Sequence, residues 1–204
     1  MKIVCIGRNY VAHARELNNE VPSEPVFFMK PDTSLLRNNR PFPVPVWSKD
    51  VQHEIELVIK ISKTGKNILQ ESADMYYQEI GLGIDFTARD VQDQLKSKGL
   101  PWEKAKAFDK AAVLGTGYLR KEQFPGRDSI RFRLDLNGKT TQEGHSGLMI
   151  FTFEAIIAHV SKYVTLKKGD LIYTGTPAGV GPVRVGDHLE GYLEGQKLLD
   201  FWVR

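Results

Sequence analysis

The stretch HEIELVIKI, residues 53–61, decides how the rest of the sequence is interpreted. It predicts a β-strand, and because successive side chains of a strand point to opposite faces, Glu54 and Glu56 lie on the same face. The other face is aliphatic throughout, with Ile55, Leu57, Ile59 and Ile61. Two neighbouring carboxylates repel each other unless water screens them or a cation lies between them. The pair is therefore either a solvated strand face or part of a metal site.

Length and composition predict one soluble globular domain spanning residues 1–204. The chain has 204 residues, of which 41% are apolar and 26% charged, as in ordinary compact proteins. Its 28 basic and 25 acidic residues leave a net charge of +3, and the basic residues are scattered. This balance argues against a nucleic-acid-binding surface.

The only cysteine, Cys5, lies in the apolar run KIVCIG, which suits a buried small side chain in a reducing compartment. No apolar run reaches the roughly 20 residues of a membrane-spanning helix, and the N-terminal residues lack the features of a signal peptide. We therefore expect a cytoplasmic protein with no membrane partner.

Strand patterns extend over the whole chain. A strand at residues 1–6 ends at Gly7, and Asn9 is a candidate cap for a helix over residues 10–19. A proline-rich segment then surrounds a short strand, VFFM. Beyond residue 61 we expect a helix in ESADMYYQE, a strand in IGLGIDF, a helix opened by Thr87 and stopped by Gly99, and a hairpin turning at Asn137-Gly138.

A helix over MIFTFEAIIAHVSKYV and glycine-separated strands complete the pattern. With only three or four helices among strands that do not alternate regularly with them, the sequence predicts a mainly β (α+β) fold. Doubly wound and (β/α)8 barrel folds are disfavoured.

A third carboxylate, Asp85, ends the predicted strand IGLGID at a junction with the next helix, where a side chain can reach a cleft. Three oxygen ligands, without cysteine or a zinc-type histidine pair, favour Mg²⁺ or Mn²⁺ over zinc. Each carboxylate taken alone is also compatible with an ordinary surface residue.

Other candidates come in helical pairs. Arg89 and Gln92 are three residues apart and face one side, where they can hold an oxyanion, and Lys106 is a further cation. His13 and Glu16 have the same spacing, and a carboxylate can orient an imidazole that takes a proton from water. Exposed polar helix faces explain both spacings as well.

The glycine-rich segment YTGTPAGVGPV lacks the pattern of a phosphate-binding P-loop or a dinucleotide turn, which argues against nucleotide binding. Its tight turn, with Thr174, Thr176 and exposed amides, suits a carboxylate ligand instead. No Gly-x-Ser-x-Gly motif supports serine-hydrolase chemistry.

In their order, these motifs resemble the fumarylacetoacetate hydrolase family, most closely its short acylpyruvase and oxaloacetate decarboxylase branch. The resemblance covers nearly the whole chain and is carried by GRNYVAHARE, EPVFFMKP, HEIELVIKI, GIDFTARDVQ, KGLPWEKAKAFD, NGKTTQEG and GDLIYTGTPAGVGPV. It implies a mixed β-sandwich roll with short peripheral helices, a homodimer, and a small 2-oxo acid as substrate.

The resemblance also implies roles for individual residues. Glu54, Glu56 and Asp85 are implied to bind Mg²⁺ or Mn²⁺, and Arg89, Gln92 and Lys106 to hold the substrate carbonyl or the developing enolate. Lys30 and Thr176 match substrate-contacting positions, and His13 with Glu16 matches a water-activating dyad on a lid-like helix. The implied activity is hydrolysis of acylpyruvates to pyruvate and a carboxylic acid, decarboxylation of oxaloacetate, or both.

The sequence departs from the family pattern after QEG, where His145 and Gly147 stand at positions that often carry small polar residues. We expect His145 near the site, where it would alter substrate preference. Two alternatives to C–C cleavage stay open: isomerisation or hydration of a related 2-oxo acid of aromatic catabolism, and a dicarboxylate-binding module with little turnover. The filled catalytic positions disfavour the binding module.

Overall fold

Strands are the commonest regular structure in the chain, as the sequence predicts. The computed structural model describes residues 1–204. The strands are β1 (Ile3–Gly7), β2 (Val26–Lys30), β3 (Leu35–Leu36), β4 (Val51–His53), β5 (Ile55–Ile61), β6 (Tyr77–Asp85), β7 (Thr87–Ala88), β8 (Ala112–Arg120), β9 (Arg131–Leu136), β10 (Lys139–His145), β11 (Leu171–Tyr173), β12 (Gly181–Pro182), β13 (His188–Leu193) and β14 (Gln196–Trp202). The helices are α1 (Val11–Glu16), α2 (Arg89–Ser97), α3 (Glu103–Lys106) and α4 (Phe153–Tyr163).

The strands form three sheets. A seven-stranded mixed sheet has the order β2-β1-β11-β5-β6-β8-β3, with parallel pairs at β1–β11 and β3–β8. A four-stranded antiparallel sheet has the order β10-β9-β13-β14, and a small sheet has the order β12-β4-β7. Short helices lie at the periphery, so the predicted α+β class with mainly β-structure is confirmed.

Strand β5 is near the centre of the large sheet, and its two faces differ as the alternation predicts. Ile55, Leu57 and Ile59 join the main apolar core, which also contains Leu134 and Phe201 from the four-stranded sheet. The two larger sheets therefore pack face to face around a common core. Val58, on the other face of β5, belongs to a second, smaller apolar cluster.

The predicted strand over residues 53–61 is wrong in one respect that matters for the site. It is interrupted at Glu54, which separates β4 in the small sheet from β5 in the large sheet. The chain passes from one sheet to the other at this residue. Alternating hydrophobicity does not reveal such a change because both strands keep a buried face.

Three helix predictions also need correction. Helix α1 ends at Glu16 and has no side-chain cap, because Asn9 bonds elsewhere. The segment ESADMYYQE forms a 3₁₀-helix, Gln70–Tyr76, that leads into β6. Thr87 does not cap α2; it pairs with Gln52 in the small sheet, and the cap position is Ala88.

Other local predictions are confirmed. Asn137 and Gly138 turn the β9–β10 hairpin with φ of 53° and 75°, both in the left-handed region that this two-residue turn requires. Gly99, with φ of 63°, follows the end of α2. None of the helices combines the length and apolar character needed to cross a bilayer.

Candidate metal centre and active site

Three carboxylates meet where β5 and β6 lie side by side. Glu54 occupies the interruption before β5, Glu56 is on β5, and Asp85 ends β6. The Asp85 backbone N–H donates to the Glu54 carbonyl at 2.8 Å, which fixes the register of the two strands. The three residues are 5%, 1% and 1% exposed, and each can direct one oxygen to a point where all three lie within 4.8 Å of one another.

These residues fit a divalent cation. They offer only hard carboxylate oxygens, the ligands that Mg²⁺ and Mn²⁺ prefer. Burial of several carboxylates at one point is costly unless positive charge compensates them. A divalent cation bound by Glu54, Glu56 and Asp85 would supply that charge.

Two buried lysines already contact this cluster. The Lys106 ammonium group, at the end of α3, donates to Glu54 Oε2 at 2.7 Å and to Asp85 Oδ2 at 2.9 Å. The Lys30 ammonium group lies 2.5 Å from Asp85 Oδ1 and donates to the carbonyls of Phe86 and Ala111. Lys106 lines the cleft and Lys30 lies behind Asp85, so the structure gives the two predicted lysines different surroundings.

The first turn of α2 places Arg89 and Gln92 beside Glu54. Arg89 donates to Glu54 Oε1 at 2.5 Å, to Gln92 Oε1 at 2.6 Å and to Gln52 Oε1 at 2.9 Å. Because the Gln92 oxygen accepts from Arg89, its amide nitrogen remains available as a donor in the cleft. This is the arrangement that stabilises an oxyanion.

Helix α1 brings His13 to the same cleft. His13 is 5% exposed, and its Nδ1 lies 3.4 Å from Glu16 Oε2. Glu16 also accepts from the Gly179 N–H at 3.0 Å. The segment before α1 is anchored by Asn9, whose side chain donates to the carbonyls of Thr174 and Phe151 and accepts from the Phe151 N–H.

The glycine-rich loop after β11 closes another side of the site. The Gly175 N–H donates to Glu56 Oε2 at 2.7 Å, and Gly175 has a φ of 101°. A Cβ at this position would lie 2.6 Å from the Asn9 Cβ, so only glycine fits. The next residue, Thr176, donates its hydroxyl hydrogen to the Ile55 carbonyl at 2.8 Å.

Gln142 ties this loop to the carboxylate strand. Its amide nitrogen donates to Thr176 Oγ1 at 2.8 Å and to the Pro177 carbonyl, while its oxygen accepts from the Ile55 N–H and from His53 Nδ1 at 2.8 Å. These bonds satisfy a side chain that is 1% exposed. They also hold the Thr176 hydroxyl in one orientation.

The cleft that these residues enclose is small, about 40 Å³. Eight of the ten predicted site residues line it; of the other two, Lys30 lies behind Asp85 and Glu16 contacts the lining residue His13. The lining members of the predicted set are His13, Glu54, Glu56, Asp85, Arg89, Gln92, Lys106 and Thr176. His145 lies instead in a separate cavity of about 420 Å³ on the outer face of the four-stranded sheet, so its expected place near the site is wrong.

Comparison with known proteins agrees with the motif order. Residues 2–201 match the model of the fumarylacetoacetate (FAA) hydrolase C-terminal family. The chain belongs to the fumarylacetoacetate hydrolase family. The resemblance seen in the sequence is thereby confirmed.

Members of this family with related sequences carry several activities in their names. The mouse protein named oxaloacetate tautomerase FAHD1, mitochondrial, is 41% identical over 202 residues, covering 99% of this chain and 91% of the relative. The Dictyostelium discoideum protein named oxaloacetate decarboxylase, mitochondrial, is 41% identical over 195 residues, covering 95% and 89%.

A solved structure of fumarylpyruvate hydrolase from Pseudomonas aeruginosa in complex with Mn²⁺ and pyruvate superposes with a TM-score of 0.93. It is 32% identical, and the match covers 100% of this chain and 89% of that chain. A family member thus holds a divalent metal together with a 2-oxo acid.

Neighbouring charges shift the pKa values of Glu54 and Glu56 in opposite directions. Burial opposes ionisation of Glu54, but Lys106 and Arg89 outweigh it and lower the pKa of Glu54. Glu56 has no such partner, and burial together with Asp85 and Glu54 raises its pKa well above the usual range. The site therefore lacks positive charge on the Glu56 side.

Burial lowers the pKa of His13, partly offset by the charge of Glu54 and the contact with Glu16. His13 is consequently neutral near pH 7 and able to accept a proton. For Lys106, burial disfavours the charged form, but Asp85 and Glu54 outweigh it and raise the pKa. Lys106 therefore stays cationic, as a stabiliser of negative charge must.

Sequence reasoning missed residues that orient the site. Gln52 could have been found, because it shares the alternating face of Glu54 and Glu56. The sequence indicates Asn9 only as a possible helix cap. The role of Gln142 cannot be predicted from the sequence, because nothing in TTQEG indicates that its side-chain amide reaches β5 from a different sheet.

Proposed function

We propose that this protein is a divalent-metal-dependent enzyme that cleaves C–C bonds in small 2-oxo acids, hydrolysing acylpyruvates to pyruvate and a carboxylic acid and decarboxylating oxaloacetate. The observation that carries the proposal is the buried meeting of three carboxylates with His13, Lys106 and the Arg89–Gln92 pair in one small cleft. The relatives named for oxaloacetate and fumarylpyruvate chemistry support this substrate class.

Glu54, Glu56 and Asp85 would hold Mg²⁺ or Mn²⁺, and the bound ion supplies Lewis-acid stabilisation of negative charge on the 2-oxo oxygen. The remaining groups act on the substrate directly. The amide donor of Gln92 and the ammonium group of Lys106 hydrogen-bond to the oxygen on which charge develops. Arg89 holds Gln92 in the orientation that presents this donor.

In acylpyruvate hydrolysis, His13 takes a proton from the water that attacks the 4-carbonyl, and Glu16 orients its imidazole. The bond between C3 and C4 then breaks, and its electrons move to C3 and the 2-oxo oxygen as the pyruvate enolate. Protonation of C3 yields pyruvate, and the acyl group leaves as a carboxylic acid.

Decarboxylation of oxaloacetate reaches the same enolate without water. The C3–C4 bond breaks to release CO₂, and the electron pair is again stabilised at the 2-oxo oxygen. Lys106 and Gln92 are needed in both reactions, whereas His13 is needed as a base only for hydrolysis.

A second candidate is tautomerisation of oxaloacetate between its keto and enol forms. It is favoured by the 41% identity to the mouse oxaloacetate tautomerase. A neutral His13 in the cleft can take a proton from C3 and return it, and the enol forms when the 2-oxo oxygen gains a proton. This candidate shares the enolate but leaves every C–C bond intact.

Proton NMR tests the proposal. The enzyme is supplied with Mg²⁺, without the paramagnetic Mn²⁺, and is incubated with oxaloacetate or with acetylpyruvate. Pyruvate from both substrates, with acetate from acetylpyruvate, is the expected result. Accelerated keto–enol exchange of oxaloacetate without pyruvate would favour the tautomerase. If calorimetry detects oxalate binding while neither substrate changes in the NMR experiment, a dicarboxylate-binding module is favoured.

The homodimer and the cytoplasmic location expected from the sequence remain proposals. Light scattering checks the first, since a homodimer has twice the 23.1 kDa of one chain.

A further inference from the structure

Two cationic side chains line the cleft without a role in the proposed chemistry. Arg8 and Lys96 are both half-buried and contact the same cavity as the carboxylate cluster. Arg89 and Lys106 are ion-paired with Glu54 or Asp85, but Arg8 and Lys96 take part in no ion pair. Every acidic residue lining the cleft belongs to the metal cluster, so nothing acidic in the cleft is left for these two cations.

The backbone at Arg8 is in a conformation that side chains disfavour. Its φ is 60°, in the left-handed region where glycine is favoured. Asn9 holds the adjoining backbone through its three hydrogen bonds to Phe151 and Thr174. A glycine would fit this turn with less strain, whereas the arginine present here brings a cationic residue to the lining of the cleft.

Lys96 is held at the cleft by an aromatic contact. Its ammonium group lies 5.6 Å from the centroid of the Trp102 ring, a cation–π geometry. It is seven residues after Arg89 on α2 and therefore on the same face two turns later. Burial, followed by the charges of Arg89 and Arg8, lowers the pKa of Lys96.

We propose that Arg8 and Lys96 bind the distal carboxylate of a dianionic 2-oxo acid, so that the enzyme selects oxaloacetate-type substrates over monoanionic ones such as acetylpyruvate. This inference rests on the proposed function, in which the 2-oxo acid end of the substrate is held at the carboxylate cluster. A guanidinium and an ammonium group in a small cleft are suitable donors to a second carboxylate.

The test compares two unreactive ligands that differ by one carboxylate. Calorimetry measures the affinity of Mn²⁺-supplemented protein for malate and for lactate. We expect the wild type to bind malate more tightly, and Arg8→Gln and Lys96→Gln each to weaken malate binding about tenfold while lactate affinity stays within about twofold. Arg15→Gln, an exposed cation on α1 that does not line the cleft, should change neither affinity.

A further variant separates binding from folding. Arg8→Gly removes the charge and relieves the left-handed strain, so the thermal unfolding midpoint should not fall although malate affinity does. In Arg8→Gln, Lys96→Gln and Arg8→Gly, the KM for oxaloacetate should rise while the KM for acetylpyruvate stays unchanged.

A wild type that binds malate no more tightly than lactate contradicts the inference, as do variants that lose both affinities equally. The calorimetric result does not depend on turnover. Failure of the proposed function would appear as absent catalysis with the malate preference intact, and is thereby distinguished from failure of this inference.

Discussion

At the scale of single residues, the site is a balance between buried carboxylates and buried cations. Glu54 is compensated by Lys106 and Arg89, whereas Glu56 receives only one backbone N–H, from Gly175. The two glutamates whose spacing raised the question of a metal therefore differ in their electrostatic surroundings. Glu56 is the residue at which a divalent cation changes the charge balance most.

This asymmetry predicts how metal binding depends on pH. Burial, Asp85 and Glu54 raise the pKa of Glu56, so without metal it holds a proton at pH values where an ordinary glutamate has lost it. Metal binding requires the ionised form, and therefore releases that proton. Mn²⁺ affinity should rise with pH and level off above the pKa of Glu56.

Calorimetry of Mn²⁺ binding in buffers of different ionisation enthalpy measures the released proton. Glu79→Gln, an exposed carboxylate paired with Lys60 on the same sheet, serves as the control. Affinity that is independent of pH between acidic and neutral values would contradict the assigned state of Glu56.

The His13 substitution separates the two cleavage reactions. His13→Ala should lower acylpyruvate hydrolysis about 100-fold or more, because water loses its general base, and should affect oxaloacetate decarboxylation far less.

Because burial lowers the pKa of His13 from its ordinary value of 6.5, wild-type hydrolysis at saturating metal should lose activity only below that pH. Pyruvate release from each substrate gives both results, with Arg15→Ala as the control; equal losses in the two reactions would contradict the role of His13.

At the scale of elements, local patterns were predictable and changes of sheet were not. The aliphatic face of β5, the Asn137-Gly138 hairpin and the end of α2 at Gly99 follow from periodicity and turn chemistry. The interruption at Glu54 and the pairing of Thr87 with Gln52 depend on neighbours distant in sequence. The sequence pattern predicts a helix cap at Asn9, but the partners of its side chain, Thr174 and Phe151, lie over 140 residues away.

The packing of β6 beside β5 and β8 depends on Gly83. A Cβ there would lie 2.6 Å from both the Tyr173 ring and the Val113 carbonyl. Gly83→Ala should destabilise the protein by about 1–3 kcal/mol and displace Asp85, two residues later on the same strand. Gly117→Ala on β8, whose nearest contact is 3.5 Å, should have little effect. Urea denaturation measures both, and equal stability of the two variants would refute the packing argument.

Gln142 connects β10 to β5 and to the loop after β11. Gln142→Met keeps the side-chain length but leaves the buried Ile55 N–H and Pro177 carbonyl without this partner, at about 1–3 kcal/mol for each unsatisfied group. We expect a lower unfolding midpoint and weaker oxalate binding, because the Thr176 turn is no longer held against β5. Ser161→Ala, which removes buried hydrogen bonds distant from the site, should lower the midpoint without changing oxalate affinity.

At the scale of the whole molecule, the site exists only because distant segments converge. The carboxylates come from adjoining strands of the large sheet, His13 from an N-terminal helix, and Thr176 from a loop near the C-terminal end. Periodicity alone could not bring these together. The ordered combination of motifs predicts their convergence, because it indicates a family whose fold fixes the arrangement of these segments.

The most direct test of the account is the metal dependence of turnover. Pyruvate release from oxaloacetate and from acetylpyruvate is measured with excess Mg²⁺, again with EDTA, and with Glu56→Ala, against blanks without enzyme. We predict that pyruvate release requires Mg²⁺. We also predict that the Glu56→Ala variant is folded but releases no pyruvate. Release that persists in EDTA, or that Glu56→Ala retains at the wild-type rate, would contradict the assignment of Glu54, Glu56 and Asp85 as a catalytic metal centre.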